Sequence, residues 1–166
     1  ANTATTTGGG AYLYNCSGEL IANLFEGNSA NNGGGLAIQG DNILLAENEF
    51  RGNSALFGEN ETAFGGGFYI SGSCQIEGNE LVGNASDDDG GGGYVYGGRG
   101  SFDGNLLEGN TCGNDGAGIH FSRSSYTVTG NSFIDNDSSD DAGGLRIYVG
   151  NGQRVTGNEF VGNTAN

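Results

Sequence analysis

The chain has 166 residues, 36 of them glycine, and contains no proline, methionine, tryptophan or lysine. Its formal charge of −15, from 20 acidic residues against 5 arginines, argues against nucleic acid or an anionic membrane as partner, because both need a basic surface. No stretch approaches the roughly 18 consecutive apolar residues of a bilayer span, and the glycines lack the three-residue period of collagen.

Taken in chain order, the sequence repeats six times. Each unit opens on a glycine cluster and a short apolar segment: GGGAYL (8–13), GGGLAI (33–38), GGGFYI (65–70), GGGYVY (91–96), GAGIHF (116–121) and AGGLRI (142–147). A second apolar position follows at Leu20, Leu45, Ile76, Phe102, Val128 and Val155. A corner segment comes next: NLFEGN (23–28), NEFRGN (48–53), NELVGN (79–84), NLLEGN (105–110), NSFIDN (131–136) and NEFVGN (158–163). The first asparagines of these corners lie 25, 31, 26, 26 and 27 residues apart.

Such a period, with no room for a helix between the signals, predicts one domain over residues 1–166. It is all-β, a parallel β-helix or solenoid of about six coils of 25–31 residues, with three short strands per coil. The crossover rule makes it right-handed. One strand cannot bury its apolar face alone, but stacked coils share a core. The first strand is predicted to point two columns inward: Ala11, Leu36, Phe68, Tyr94, Ile119 and Leu145, and Leu13, Ile38, Ile70, Tyr96, Phe121 and Ile147. The third adds Phe25, Phe50, Leu81, Leu107, Phe133 and Phe160. At the corners, Asn tolerates the left-handed conformation and Gly adopts it freely. Two asparagine series are expected to form ladders up the stack. They are Asn23, Asn48, Asn79, Asn105, Asn131 and Asn158, and Asn28, Asn53, Asn84, Asn110, Asn136 and Asn163.

These residues resemble the right-handed parallel β-helix repeat proteins. They look most like the polymorphic outer-membrane protein repeats of autotransporter adhesins, whose Phe-x-x-Asn element is matched at 25–28, 50–53, 133–136 and 160–163. Leu81 and Leu107 replace Phe in two coils, and Gly stands where that family's glycine motif has Ala third. The resemblance implies an extracellular, cell-surface structural or adhesive role. The fold also carries lyases and hydrolases, so a carbohydrate-binding or polysaccharide-cleaving protein is the alternative.

Candidate sites follow from stacking. Asp87, Asp88 and Asp89 on one coil, Asp115 on the next, and Asp137, Asp140 and Asp141 after it would lie close together. Like charges repel, so salt, outward splaying or a hard cation must offset them, and oxygen-rich loops suit calcium. Calcium is therefore a candidate ion, though no cofactor is required. The lysine-free acidic surface fits saline or calcium-rich surroundings, where ions screen self-repulsion.

The outer face of the first strand reads Tyr12, Ala37, Tyr69, Val95, His120 and Arg146, exposed positions that suit a sugar. His120, the single histidine, has no nucleophile placed beside it, and no lysine exists to act as a lyase base, so no catalytic residue is assigned. Glu77 with Asp103 and Glu49 with Glu80 are expected to pair on consecutive coils. Cys16, Cys74 and Cys112 fall at different points of three coils and read as small core fillers. Residues 56–64 form an insertion with apolar residues, suited to folding over the coil edge or meeting a neighbour. Asn15 and Asn60 are glycosylation candidates in loops, whereas the sequons at Asn84 and Asn136 fall in a corner series. Both ends lack a cap, which suggests a piece of a longer solenoid or subunits stacking end to end by open β-edges. The partners expected are a second copy of the chain or a cell surface.

Overall fold

Alternating apolar and polar residues make each short segment extended. The structure, a computed structural model, describes residues 1–58 and 62–166. Its first full coil holds β1 (Ala11–Tyr14), β2 (Gly18–Ile21), β3 (Leu24–Glu26) and β4 (Ser29–Ala30). Each heads a six-stranded sheet that takes one strand from every coil, and all neighbouring pairs are parallel. The sheets run from β1 to Leu145–Tyr148, from β2 to Arg154–Thr156, from β3 to Glu159–Val161 and from β4 to Thr164–Ala165. The molecule is a parallel β-solenoid of six coils.

Each coil has four strands where three are predicted from sequence. The fourth-sheet strands have two residues each, too few to show an alternation. Their inward column is Ala30, Ala55, Ser86, Cys112, Ser138 and Ala165, small side chains throughout. Cys112 fills this narrow column, and Cys74 lies in the central core.

The second- and third-sheet columns stack in the predicted register. Phe25 stacks on Phe50 with ring centroids 4.9 Å apart, and Phe133 on Phe160 at 4.7 Å. Fully burying one such side chain contributes about 1.5–3 kcal/mol.

The first sheet departs from prediction in the fourth coil. Gly93, not Tyr94, stands in the Phe68–Ile119 column, and Val95, not Tyr96, stands in the Ile70–Phe121 column. Tyr94 therefore belongs to the outer face and Tyr96 is exposed. The run of four glycines leaves the register ambiguous in sequence. The fold resolves it because the turn needs a left-handed residue, and Gly90 takes that place at φ 69°, matching Gly65 and Gly116 at 71° and 66°. The missing side chain at Gly93 is filled by the Phe68 ring, 2.6 Å from where a Cβ would sit.

Both asparagine series run as continuous ladders. In the buried series, the backbone N–H and Nδ2 of Asn53 both donate to Oδ1 of Asn84 at 3.0 Å. Asn84 donates forward in the same way to Asn110, and back to the Phe50 carbonyl at 2.9 Å. Each amide thus ties three coils. The left-handed residue is not the asparagine but the one before it. Glycine usually fills that place, and Ala22, Glu47 and Asp135 hold it at φ 56°, 55° and 50°.

Replacing Asn84 with Ala leaves the Asn53 backbone N–H without its acceptor, removes the amide donor to the Phe50 carbonyl and takes one of the two donors from Asn110 Oδ1, the residue-84 backbone N–H remaining. It is expected to cost roughly 3–5 kcal/mol. Asn23→Ala, at the exposed edge of its ladder, is expected to cost less than about 1 kcal/mol. Thermal melts followed by circular dichroism check the contrast; equal losses would contradict it. Glu47→Gly, which removes left-handed strain, is expected to stabilise by about 0.5–1 kcal/mol in the same assay.

Candidate functional site

The outer row of the first sheet is Tyr12, Ala37, Tyr69, Tyr94, His120 and Arg146. Tyr94 replaces Val95, which is buried in the core. Nor is the middle of this row open: Ala37, Tyr94 and His120 are 0%, 7% and 2% exposed. A second row covers it. Thr7, Asn32, Phe64 and Asp89 bridge one another from coil to coil, each just ahead of a glycine turn. Asp115 and Asp141 continue the row, with the Asp115 N–H donating to Asp89 Oδ1 at 3.1 Å and the Asp141 N–H to Asp115 Oδ1 at 3.0 Å. The left-handed glycine folds this row back, so Phe64, Asp89 and Asp115 each meet the outer-row residue one coil on. Phe64 stacks on Tyr94 with centroids 4.5 Å apart, Asp89 Oδ2 lies 3.3 Å from His120 Nδ1, and Asp115 pairs with Arg146.

This diagonal sorts the seven candidate aspartates. Asp88, Asp89, Asp115 and Asp141 gather along it. Arg146 also reaches Asp141 at 3.5 Å, and Asn114 Nδ2 donates to Asp88 at 3.3 Å and Asp89 at 3.1 Å. Burial, and then the charge of Asp89, push the Asp88 carboxyl above the ordinary aspartate range. Asp87 turns away and accepts the Phe57 N–H at 2.9 Å. Asp137 is exposed and accepts from the Thr164 hydroxyl, and Asp140 is exposed. The acidic set named from sequence lacks the residue that completes the buried group. Asp89, Asp115 and His120 each offer a ligand atom, and these lie within 4.8 Å of one another. The one-coil diagonal offset is the signal that would have found it.

Other titratable groups serve the stack. Glu49 and Glu80 are in register, with Arg51 2.9 Å and 3.4 Å from them. Glu77 pairs with Asp103, whose carboxylate accepts the Thr129 hydroxyl at 2.6 Å. Tyr126, which carries no flag in the sequence, is buried. Its hydroxyl donates to the Gly72 carbonyl at 3.0 Å and accepts the Cys74 N–H at 3.1 Å. All three cysteines are free, and burial pushes the Cys74 and Cys112 thiols up to about 12.

The outer face of the second sheet holds a groove of about 600 Å³ lined by Glu19, Asn42, Leu44, Ser73, Gln75 and Arg99. In the insertion, Leu56 and Phe57 are exposed, whereas Ala63 is buried. Asn15 lies exposed in the turn after β1; Asn60 falls outside the described residues; Asn84 and Asn136 are fully buried and out of reach of a glycan.

Two outcomes are expected. With the Asp88 pKa raised above its unfolded value, ionising the carboxyl costs stability above the unfolded pKa and nothing below it. Asp88→Asn should therefore raise the melting temperature at pH 7 and leave it unchanged near pH 3. A thiol reagent at neutral pH should label Cys16 in the native chain and spare Cys74 and Cys112 until the chain is unfolded.

Among the described residues no helix is long and apolar enough to cross a membrane. Searches of curated proteins and of solved structures found no match. The family model for the right-handed β-helix region matches residues 1–166. With its four parallel sheets and stacked coils, the chain belongs to the right-handed β-helix family.

Proposed function

We propose that the chain is an extracellular, non-catalytic solenoid that presents its outer faces as an adhesive surface on a cell or between cells. The observation that carries this is how its reactive side chains are used. Arg51 braces Glu49 and Glu80, Arg146 braces Asp115 and Asp141, the Tyr126 phenol holds backbone, and the buried thiols stay protonated. Groups that could do chemistry are spent on joining coils, which favours a rigid scaffold over an active site. The acidic surface suits surroundings where salt screens it.

The groove beside Glu19 and Arg99 favours a second reading, carbohydrate binding. Its amides, hydroxyl and opposed charges can hydrogen-bond sugar hydroxyls, and Leu44 offers an apolar patch.

Acidic and neutral polysaccharides incubated with the chain should yield no new reducing ends and no unsaturated products. Release of either would overturn the scaffold proposal. Beads coated with the chain should be retained on cell or matrix surfaces. If retention is through the groove, Arg99→Ala should lower polysaccharide binding at least fivefold.

A further inference from the structure

His120 is 2% exposed, and neither ring nitrogen has a hydrogen-bond partner among the described residues. A buried imidazole left so is costly. Its Nδ1 lies 3.3 Å from Asp89 Oδ2, without the alignment of a hydrogen bond. Asp115, 5% exposed, brings a second carboxylate within 4.8 Å of both. Asp88 and Asp141 lie alongside, and among the described residues Arg146, paired with Asp115 and Asp141, is the one guanidinium bound to this group of four carboxyls. The Tyr94 ring closes one side, its centroid 5.0 Å from that of His120.

We infer that Asp89, Asp115 and His120 form a site for one divalent transition-metal ion of the zinc type. One imidazole nitrogen with two carboxylate oxygens is a donor set for zinc, manganese or ferrous iron rather than calcium, which takes oxygen ligands. Zinc binds such donors at about 2.0–2.2 Å, which sets neighbouring ligands of a tetrahedral shell about 3.3–3.6 Å apart. The His120–Asp89 separation of 3.3 Å meets that spacing, and Asp115 offers its oxygen within 4.8 Å of both. A carboxylate has two oxygens with two lone pairs each, so Asp115 can keep Arg146 while it binds the ion. The backbone N–H groups of Asp115 and Asp141 and the Asn114 amide already orient the two carboxylates, the support that ligand shells need. The ion would clamp consecutive coils through residues from both.

His120 is the only histidine, so its imidazole signals in proton–carbon NMR of the tag-free chain report one residue. Adding zinc chloride to chelator-treated protein at fixed pH should shift those signals and saturate at one ion per chain. It should also raise the melting temperature. His120→Ala and Asp89→Asn should weaken zinc binding at least tenfold by calorimetry, and Asp140→Asn should leave it unchanged. Imidazole signals that stay put through a zinc titration would overturn the site, leaving a plain imidazole–carboxylate contact. So would His120→Ala binding zinc as tightly as the parent, which would place the ion on surface acids. If the His120 and Asp89 variants fail to fold, the NMR titration of the parent chain decides alone. Calcium that binds without moving the imidazole, where zinc does not bind, would also overturn it.

Discussion

The fold depends on an amide that cannot be satisfied within its own coil. An asparagine turned inward at a corner would be an expensive buried polar group if its coil stood alone. In the stack, Asn84 accepts from the coil before, donates to the coil after and donates back to a main-chain carbonyl. Each coil therefore needs its neighbours for polar as well as apolar reasons. The column of Phe and Leu beside the ladder, Phe25 to Phe160, supplies burial but little register, since apolar side chains make no directional bond. The asparagines, with donors and acceptor at fixed angles, set which residue stands above which.

That constraint explains how much was legible in the sequence. Residues bound to one corner geometry recur at a fixed offset, so Asn28, Phe25 and Leu20 were placed column by column, and the parallel solenoid followed. The register failed where the geometry is set by a conformation rather than a residue type. Four consecutive glycines offered four equivalent places for a left-handed turn, and the slip at Gly93 moved Tyr94 outward and Val95 inward. The fourth sheet was missed because the alternation of Ser29–Ala30 is too short to show.

The buried group was half legible for a different reason. Stacking by equal offset lines up Asp89, Asp115 and Asp141, since they hold one position of the repeat. It cannot show that this row lies over another strand's outer face, one coil further on. That contact comes from the backward fold at each left-handed glycine, and it carried His120 from an expected surface place into the interior. Aspartates outside the row, such as Asp137 and Asp140, are solvated acids on the surface. The same diagonal sets other side chains against the periodic rim of like charge, Arg146 under Asp115 and His120 under Asp89.

The ladder has a direction. In both series the backbone and side-chain N–H groups of one coil donate to the side-chain oxygen of the next, never the reverse. The hydrogen bonds between paired strands alternate in sense and their dipoles largely cancel. The side-chain carbonyls do not, for each faces the coil before it. Two parallel columns of aligned amides run the length of the rod, and each bond polarises the next. Lengthening such a solenoid by a coil does more than add a layer, because it tightens the bonds in the layers already there and makes the axis electrically polar.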